Sequence, residues 1–370
     1  MKPAFYNPFI SYEENYTKGP PVSAGIAKIP KRKKGKTFTF LGHDVGVPFG
    51  IPPGPLLNSK FMKSAFEWGY DVSTYKTVRA EEFPCHPFPN VLFVKTPKEL
   101  HPDKTPRLVA SSKTKDDKEK FSITNSFGVP SMTPNVWQKD VKKSLGYVND
   151  RQLLILSFMG TVRPNQTQSE FITDFGKAAA LAHAAGAKVL EANLSCPNIG
   201  NEGLVCYNLD ATEEVAAEIR KKIGNTPLIL KVGYYKNDKD LTRLAEIAEK
   251  YAQGIAAINT LQIEIVDAKG NQALPGNNRL RSGVCGASIR WAGLEMTERL
   301  SALRKKKKYH FSIIGIGGVM TAKDYLAYRK AGADVVQAAT GPMWNPSLAM
   351  EIWKAENFRQ RHSSFGKLRG

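Results

Sequence analysis

Cysteine is scarce in this chain. There are four in 370 residues, Cys85, Cys196, Cys206 and Cys285, and no two form a CxxC pair. That spacing weighs against a zinc or iron–sulfur site within the chain. Thiols this sparse point to a reducing compartment, the cytosol. No run reaches the ~18 uninterrupted apolar residues of a membrane-spanning helix. The opening residues, MKPAFYNPFISYEENYTKG, hold no apolar core of a secretory signal. The six histidines are scattered without ligand spacing. Neither H-E-x-x-H, nor G-x-x-x-x-G-K-[ST], nor a Ser/His/Asp set is legible, so no metal site is expected. Acidic residues are also short: 34 Asp+Glu against 53 Lys+Arg leaves a net charge of +19. Such a surplus suits nucleic acid, an anionic membrane surface or anionic small molecules. Exposed lysine runs serving solubility are the plainer account of it.

At 42% hydrophobic and 24% charged, the composition is that of a globular protein, not a disordered, collagen-like or coiled-coil one. The length suggests two domains at ~150 residues each, but α/β barrels run longer as one. Residues 1–36 carry Pro, Gly and the basic run Lys31–Lys34, and read as an N-terminal arm wrapped on the surface or left mobile. Thr37–Val45 reads as a hairpin, with a polar turn between apolar runs. Eight short apolar runs follow: Val47–Pro52, Asp71–Lys76, Leu153–Phe158, Lys188–Leu194, Pro227–Val232, Ile255–Asn259, Phe311–Gly315 and Asp334–Ala338. Helical patterns separate most of them, at Phe171–Ala184, Thr212–Lys222, Leu241–Tyr251 and Ala322–Ala331. This alternation predicts an α/β fold, a (β/α)8 TIM barrel over residues 37–370. Residues 77–150 are too many for a plain βα connection. They predict an excursion with its own hairpin over one barrel face, including a strand-like Phe121–Asn125. Gln262–Gly283 is a second, polar excursion. The run Arg304–Lys308 reads as a solvated helix C-terminus.

Barrel enzymes place their chemistry where strands end. Strand two ends at Lys76-Thr77, strand four at Asn193 before Ser195-Cys196-Pro197-Asn198, strand five near Lys231 and strand six at Asn259-Thr260. Strand seven ends in Gly315-Ile316-Gly317-Gly318, and strand eight in Ala338-Ala339-Thr340-Gly341. The last two loops together suit a phosphate cradle of backbone N–H groups; either alone is as well explained by a tight turn. Cys196, just past a strand end, is a candidate thiolate base. Burial as a structural cysteine is the plain alternative, and Cys85, Cys206 and Cys285 are assigned to packing. Lys76 and Lys231 on inward strands need an anionic partner, either a reduced flavin or a barrel carboxylate such as Glu191. Asn193, Asn198 and Asn259 together suit an imide or ureide ring.

Asn193-Leu194-Ser195-Cys196-Pro197-Asn198 resembles the signature of the class 1, cysteine-type dihydroorotate dehydrogenase family. The resemblance runs from about Thr37 to Glu356, leaving out the arm and part of residues 80–120. It implies an FMN-binding barrel with Cys196 as base. Asn125-Ser126-Phe127-Gly128-Val129-Pro130 is similar to the family's substrate loop, where an Asn side chain and following backbone amides hold orotate. The implied substrate-binding residues are Lys76, Asn125, Phe127, Gly128, Val129, Asn193, Asn198, Asn259 and Thr260. The implied cofactor-binding residues are Pro53, Gly54, Lys76, Thr77, Asn125, Asn193, Lys231, Ile258, Gly286, Gly317, Gly318, Ala339 and Thr340. The chain departs from the family pattern at Pro52-Pro53-Gly54, where small residues are usual, and at Ala339, where Gly is usual.

The resemblance implies FMN-dependent oxidation of dihydroorotate to orotate in pyrimidine biosynthesis. Cys196 thiolate takes the C5 proton while C6 passes a hydride to flavin N5, and Ile199–Leu204 forms a lid. The electron acceptor stays open between fumarate, NAD through a partner electron-transfer subunit, and another oxidant. A homodimer is the family's habit. A runner-up is a dihydropyrimidine (uracil/thymine) dehydrogenase-like reductase, which the Gln262–Gly283 excursion resembles, although that branch needs iron–sulfur motifs this chain lacks. A non-enzyme alternative is a basic nucleic-acid-binding protein on a barrel scaffold. It is disfavoured by the want of aromatics among Arg304–Lys308.

Overall fold

Eight apolar runs of the sequence become the parallel strands of a barrel in the computed structural model, which describes residues 3–21, 37–114, 117, 119–195 and 205–366. A hairpin, β1 (Phe38–Phe40) with β2 (His43–Val45), precedes them. The barrel strands are β3 (Phe49–Gly50), β4 (Val72–Val78), β8 (Leu153–Phe158), β9 (Val189–Asn193), β10 (Leu228–Val232), β11 (Gly254–Ala257), β14 (Ser312–Ile316) and β15 (Val335–Gln337). Their order is β3-β15-β14-β11-β10-β9-β8-β4, with every pair parallel. The Thr74 N–H donates to the Ile51 carbonyl at 2.8 Å, which brings β4 back beside the end of β3. These strands are buried on both faces, so each reads as a continuous apolar run.

Outside the barrel lie α2 (Ser59–Glu67), α3 (Pro134–Leu145), α4 (Gln168–Ala184), α5 (Leu209–Ile223), α6 (Asp238–Tyr251), α7 (Arg290–Lys307) and α8 (Ala322–Ala331). Helices α9 (Thr340–Trp344) and α10 (Leu348–Gly366) follow the last strand. Helix α4 begins with a reciprocal capping box between Thr167 and Glu170. Helix α5 starts at Leu209, three residues before the predicted Thr212, because the Asn208 side chain caps it by accepting from the Ala211 N–H. The basic run ends α7 as expected, with Lys308 in the left-handed cap.

Strand period 2 sorts the barrel interior into levels. Val72, Leu153, Val189, Ile229, Ile314 and Val335 form a cluster with Phe40 and Val45, so the hairpin plugs the end where the strands begin. Two residues further along the same inward faces come Glu191, Lys231 and Gln337, and four residues further come Lys76 and Asn193. The interior thus turns from aliphatic to polar toward the strand ends.

The two excursions meet. Strands β5 (Val91–Val94), β6 (Arg107–Ser111) and β7 (Ser122–Asn125) come from the first; β12 (Leu261–Val266) and β13 (Arg281–Gly286) come from the second. They close on one another in the order β12-β13-β7-β5-β6. The sequence reading treats them as separate insertions; here they form one roof.

The basic run Lys31–Lys34 lies outside the described residues. The part of the arm that is described is not a loose surface segment: Ala4, Phe5 and Tyr6 are buried, and helix α1 (Tyr12–Lys18) follows. The Asn58 side chain donates to the Tyr16 carbonyl at 2.8 Å, tying α1 to the start of α2.

Candidate active site

The mouth of the barrel opens into two adjoining cavities under the roof. The inner encloses about 110 Å³ and the outer about 510 Å³. Gly54, Asn125, Phe127, Lys231, Asn259 and Thr260 line both, so the two are continuous.

The inner cavity ends against the loops after β14 and β15. Ile258, Gly286, Gly317, Gly318, Ala339 and Thr340 line it. Gly317 and Gly318 adopt φ of 131° and 66°, which only glycine takes readily. A Cβ at Gly318 would lie 2.8 Å from the backbone N of Arg290. Gly317, Gly318 and Ala339 make no backbone hydrogen bond from N–H to another part of the described chain. Successive free N–H groups in such a turn form a concavity for an anion. These residues therefore fit the phosphate end of a flavin nucleotide.

Lys231 and Lys76 rise from the barrel interior toward the cavities. Both are buried, and among the described residues neither makes an ion pair within 4.0 Å. Burial, with Arg79 and Lys231 as further cationic neighbours, pushes the Lys76 amine down to about 7. Burial also lowers Lys231, against the opposing field of Glu191. Glu191 is thus a neighbouring charge of Lys231, not a bonded partner. Its own carboxyl is raised by burial, and one of its oxygens is buried without a hydrogen bond. Two buried amines without an ion-paired carboxylate leave room for an anion to arrive.

A short polar chain crosses the mouth. The Asn193 Oδ1 accepts from the Ser195 N–H at 3.3 Å and its hydroxyl at 3.2 Å, and the Asn259 amide donates to the Ser195 Oγ at 2.6 Å. This fixes two carboxamides on neighbouring strand ends. Asn193, Lys76, Thr77, Pro53, Gly128 and Val129 line the outer cavity. Cys196, Asn198 and the expected lid Ile199–Leu204 lie outside the described residues.

Every described residue that the sequence singles out for substrate or cofactor lines one of the two cavities. Several others were missed. Cys285, assigned to packing, lines the inner cavity and accepts hydrogen bonds from the Asn125 amide at 3.5 Å and the Thr340 hydroxyl at 3.4 Å. Its place immediately before Gly286 was the available signal. Tyr6, from the arm, forms part of the inner wall. Arg79, His86, Arg279 and Arg281 line the outer cavity. No local pattern marks Arg279, because most of the groups it binds, at Pro87, Pro89 and Ser126, are remote in sequence, and only the Pro275 carbonyl is near.

The fold and this mouth define an α/β barrel whose strand ends gather a glycine turn with free N–H groups, two buried amines and two carboxamides around one space. A family model described as dihydroorotate dehydrogenase matches residues 92–355. A dihydroorotate dehydrogenase of Dictyostelium discoideum is 36% identical over 94% of this chain and 95% of its own length. The catalytic subunit of dihydroorotate dehydrogenase B (NAD(+)) from Staphylococcus carnosus is 30% identical over 46% of this chain and 53% of its own length. The chain belongs to the dihydroorotate dehydrogenase family. That membership decides for an oxidoreductase over a nucleic-acid-binding scaffold.

Proposed function

We propose that this protein oxidises dihydroorotate to orotate with bound FMN, as a cytosolic step of pyrimidine synthesis. One observation carries the reading: the glycine nest, the buried lysines and the carboxamides face one continuous space in a chain of this family. Gly317, Gly318, Ala339 and Thr340 would hold the flavin phosphate, and Lys231 and Asn193 its ring. When bound, the flavin supplies the acceptor for two electrons.

The chain's own residues do the rest. Lys76 and the loop Asn125–Val129 hold the substrate carboxylate, and Asn193 and Asn259 hold the pyrimidine ring. Cys196, as thiolate, removes the proton from C5. C6 gives up a hydride, and the double bond forms between C5 and C6. Buried walls of Ile123, Ile289 and Ile316 keep water from the ring. The test is anaerobic mixing of the yellow protein with dihydroorotate. Bleaching of the flavin band is expected; a spectrum that stays oxidised overturns the assignment. Bleaching by dihydrouracil in place of dihydroorotate would mark a reductase of the dihydropyrimidine type.

A further inference from the structure

Arg79 stands three residues beyond Lys76, just past the end of β4, and its side chain is buried. Its Nη2 donates to the Gly128 carbonyl at 3.0 Å and its Nε to the Val129 carbonyl at 2.9 Å. Its Nη1 donates to the Gly160 carbonyl at 3.0 Å and the Thr161 hydroxyl at 3.2 Å. One planar fork therefore ties the loop after β7 to the loop after β8. A lysine, with a single nitrogen, could not span these acceptors at once.

The loop needs holding. Gly128 and Val129 have φ of 75° and 53°. For a β-branched residue the left-handed region is a costly outlier, kept only where surrounding bonds enforce it. At Val129, the Arg79 Nε bond to the carbonyl is such a bond.

The direction of those bonds matters more than their number. The Phe127 carbonyl accepts from the His86 N–H at 3.0 Å, and the Gly128 carbonyl accepts from Arg79. In a trans peptide the N–H points opposite to the C=O. Pinning these two carbonyls turns the N–H groups of Gly128 and Val129 the other way. Neither donates to another part of the described chain. Both residues line the outer cavity together with Lys76. Two successive free N–H groups beside a lysine amine suit a carboxylate.

We propose that Arg79 is a positioning residue for substrate, holding the Phe127–Val129 backbone so that two N–H groups are presented to a carboxylate-bearing pyrimidine. The proposal rests on the reading of the site as one for dihydroorotate and orotate. Arg79 acts through the loop: its guanidinium nitrogens are engaged by the carbonyls of Gly128, Val129 and Gly160 and the hydroxyl of Thr161.

The test uses flavin-loaded wild type, Arg79→Lys and Arg79→Met. Orotate is titrated against the flavin absorbance, and dihydroorotate oxidation is followed at steady state. The expected result is a rise of about tenfold or more in the orotate Kd and in KM for Arg79→Met. Arg79→Lys should fall between it and wild type, with flavin content retained and kcat changed much less than KM. Wild-type orotate affinity in either folded variant overturns the clamp. Loss of fold or flavin in both variants also overturns it, since the arginine would then be merely structural. Wild type that binds no orotate overturns the reading of the site as well. Wild type that binds it while the variants bind it equally well overturns the clamp alone.

Discussion

The ring of Tyr6 meets that of Phe127 edge on, with centroids 5.2 Å apart and planes at 86°. Phe127 belongs to the loop that lines both cavities, while Tyr6 comes from the first residues of the chain. Tyr12 adds a second ring to Phe127 at 6.2 Å. The Ala4 N–H donates to the carbonyl of Met343, another residue of the inner wall, at 2.6 Å. The N-terminal segment thus braces the pocket from Met343 in the inner wall to the loop that carries Phe127.

Phe5 anchors that segment. Its ring is fully buried and packs edge on against Tyr70 at 5.7 Å. Phe5→Ala should remove about 3–5 kcal/mol of packing. The expected outcome is a lowered thermal midpoint with faster proteolytic cleavage before residue 21. KM for dihydroorotate should rise as Phe127 loses its brace. Calorimetry, limited proteolysis and steady-state rates check this.

Gly318→Ala should cost flavin. The added Cβ would meet the backbone of Arg290 at 2.8 Å, and the φ of 66° strains any side chain. The turn must open, and its N–H groups lose their common direction. The purified variant should show a much lower ratio of flavin to protein absorbance. Full flavin content would remove this turn from the phosphate seat.

Cys196→Ala should separate binding from chemistry. Flavin content and orotate affinity stay near wild type, while flavin reduction by dihydroorotate slows by ~10²–10⁴-fold, the usual worth of a general base. Stopped-flow reduction under argon measures it. Wild-type reduction would free Cys196 of its proposed role.

Lys76 gives the site a pH dependence with a definite sign. Its amine is pushed down to about 7 in the fold, from 10.5. The unfolded chain therefore holds more protons between those values, so this group adds stability as pH rises from about 7 to 10.5. That stability is lost progressively as pH falls from 10.5 to about 7, below which the amine is charged in the folded chain as well. An anionic ligand favours the charged form. The orotate Kd should rise above pH ~7, by up to about tenfold per unit, and Lys76→Met should flatten the profile. Titrations from pH 6 to 9 on both proteins test this.

The barrel is legible in the sequence because its strands are buried on two sides. Leu153–Phe158 and Leu228–Val232 keep their apolar character residue after residue, and the polar interruptions Glu191, Asn193 and Lys231 fall at period 2 on the inward face. The roof is not legible in that way. Strand β6 alternates between exposed and buried, and β12 has a half-exposed residue at every second place over its first four. The two strands pair with each other across more than 150 residues, as in Glu264 beside Arg107, and no local pattern encodes such a pairing. Arg79 shows the same limit. Its position near a strand end was visible, but its purpose depends on carbonyls of Gly128, Val129 and Gly160, which only the fold brings near. Tyr6 was hidden by composition, because the Pro, Gly and Lys of residues 1–36 masked the buried Ala4–Tyr6.

The closed roof also sets an order of events during synthesis. Strand β7, which leads into the substrate loop, pairs with β5 on one side and with β13 on the other. Residues 122–125 leave the ribosome about 160 residues before Arg281–Gly286. Until then one edge of β7 has no strand beside it, and Asn125 lacks its contact with Cys285. The roofed side of the pocket is therefore finished late, by a segment made well after the loop it completes.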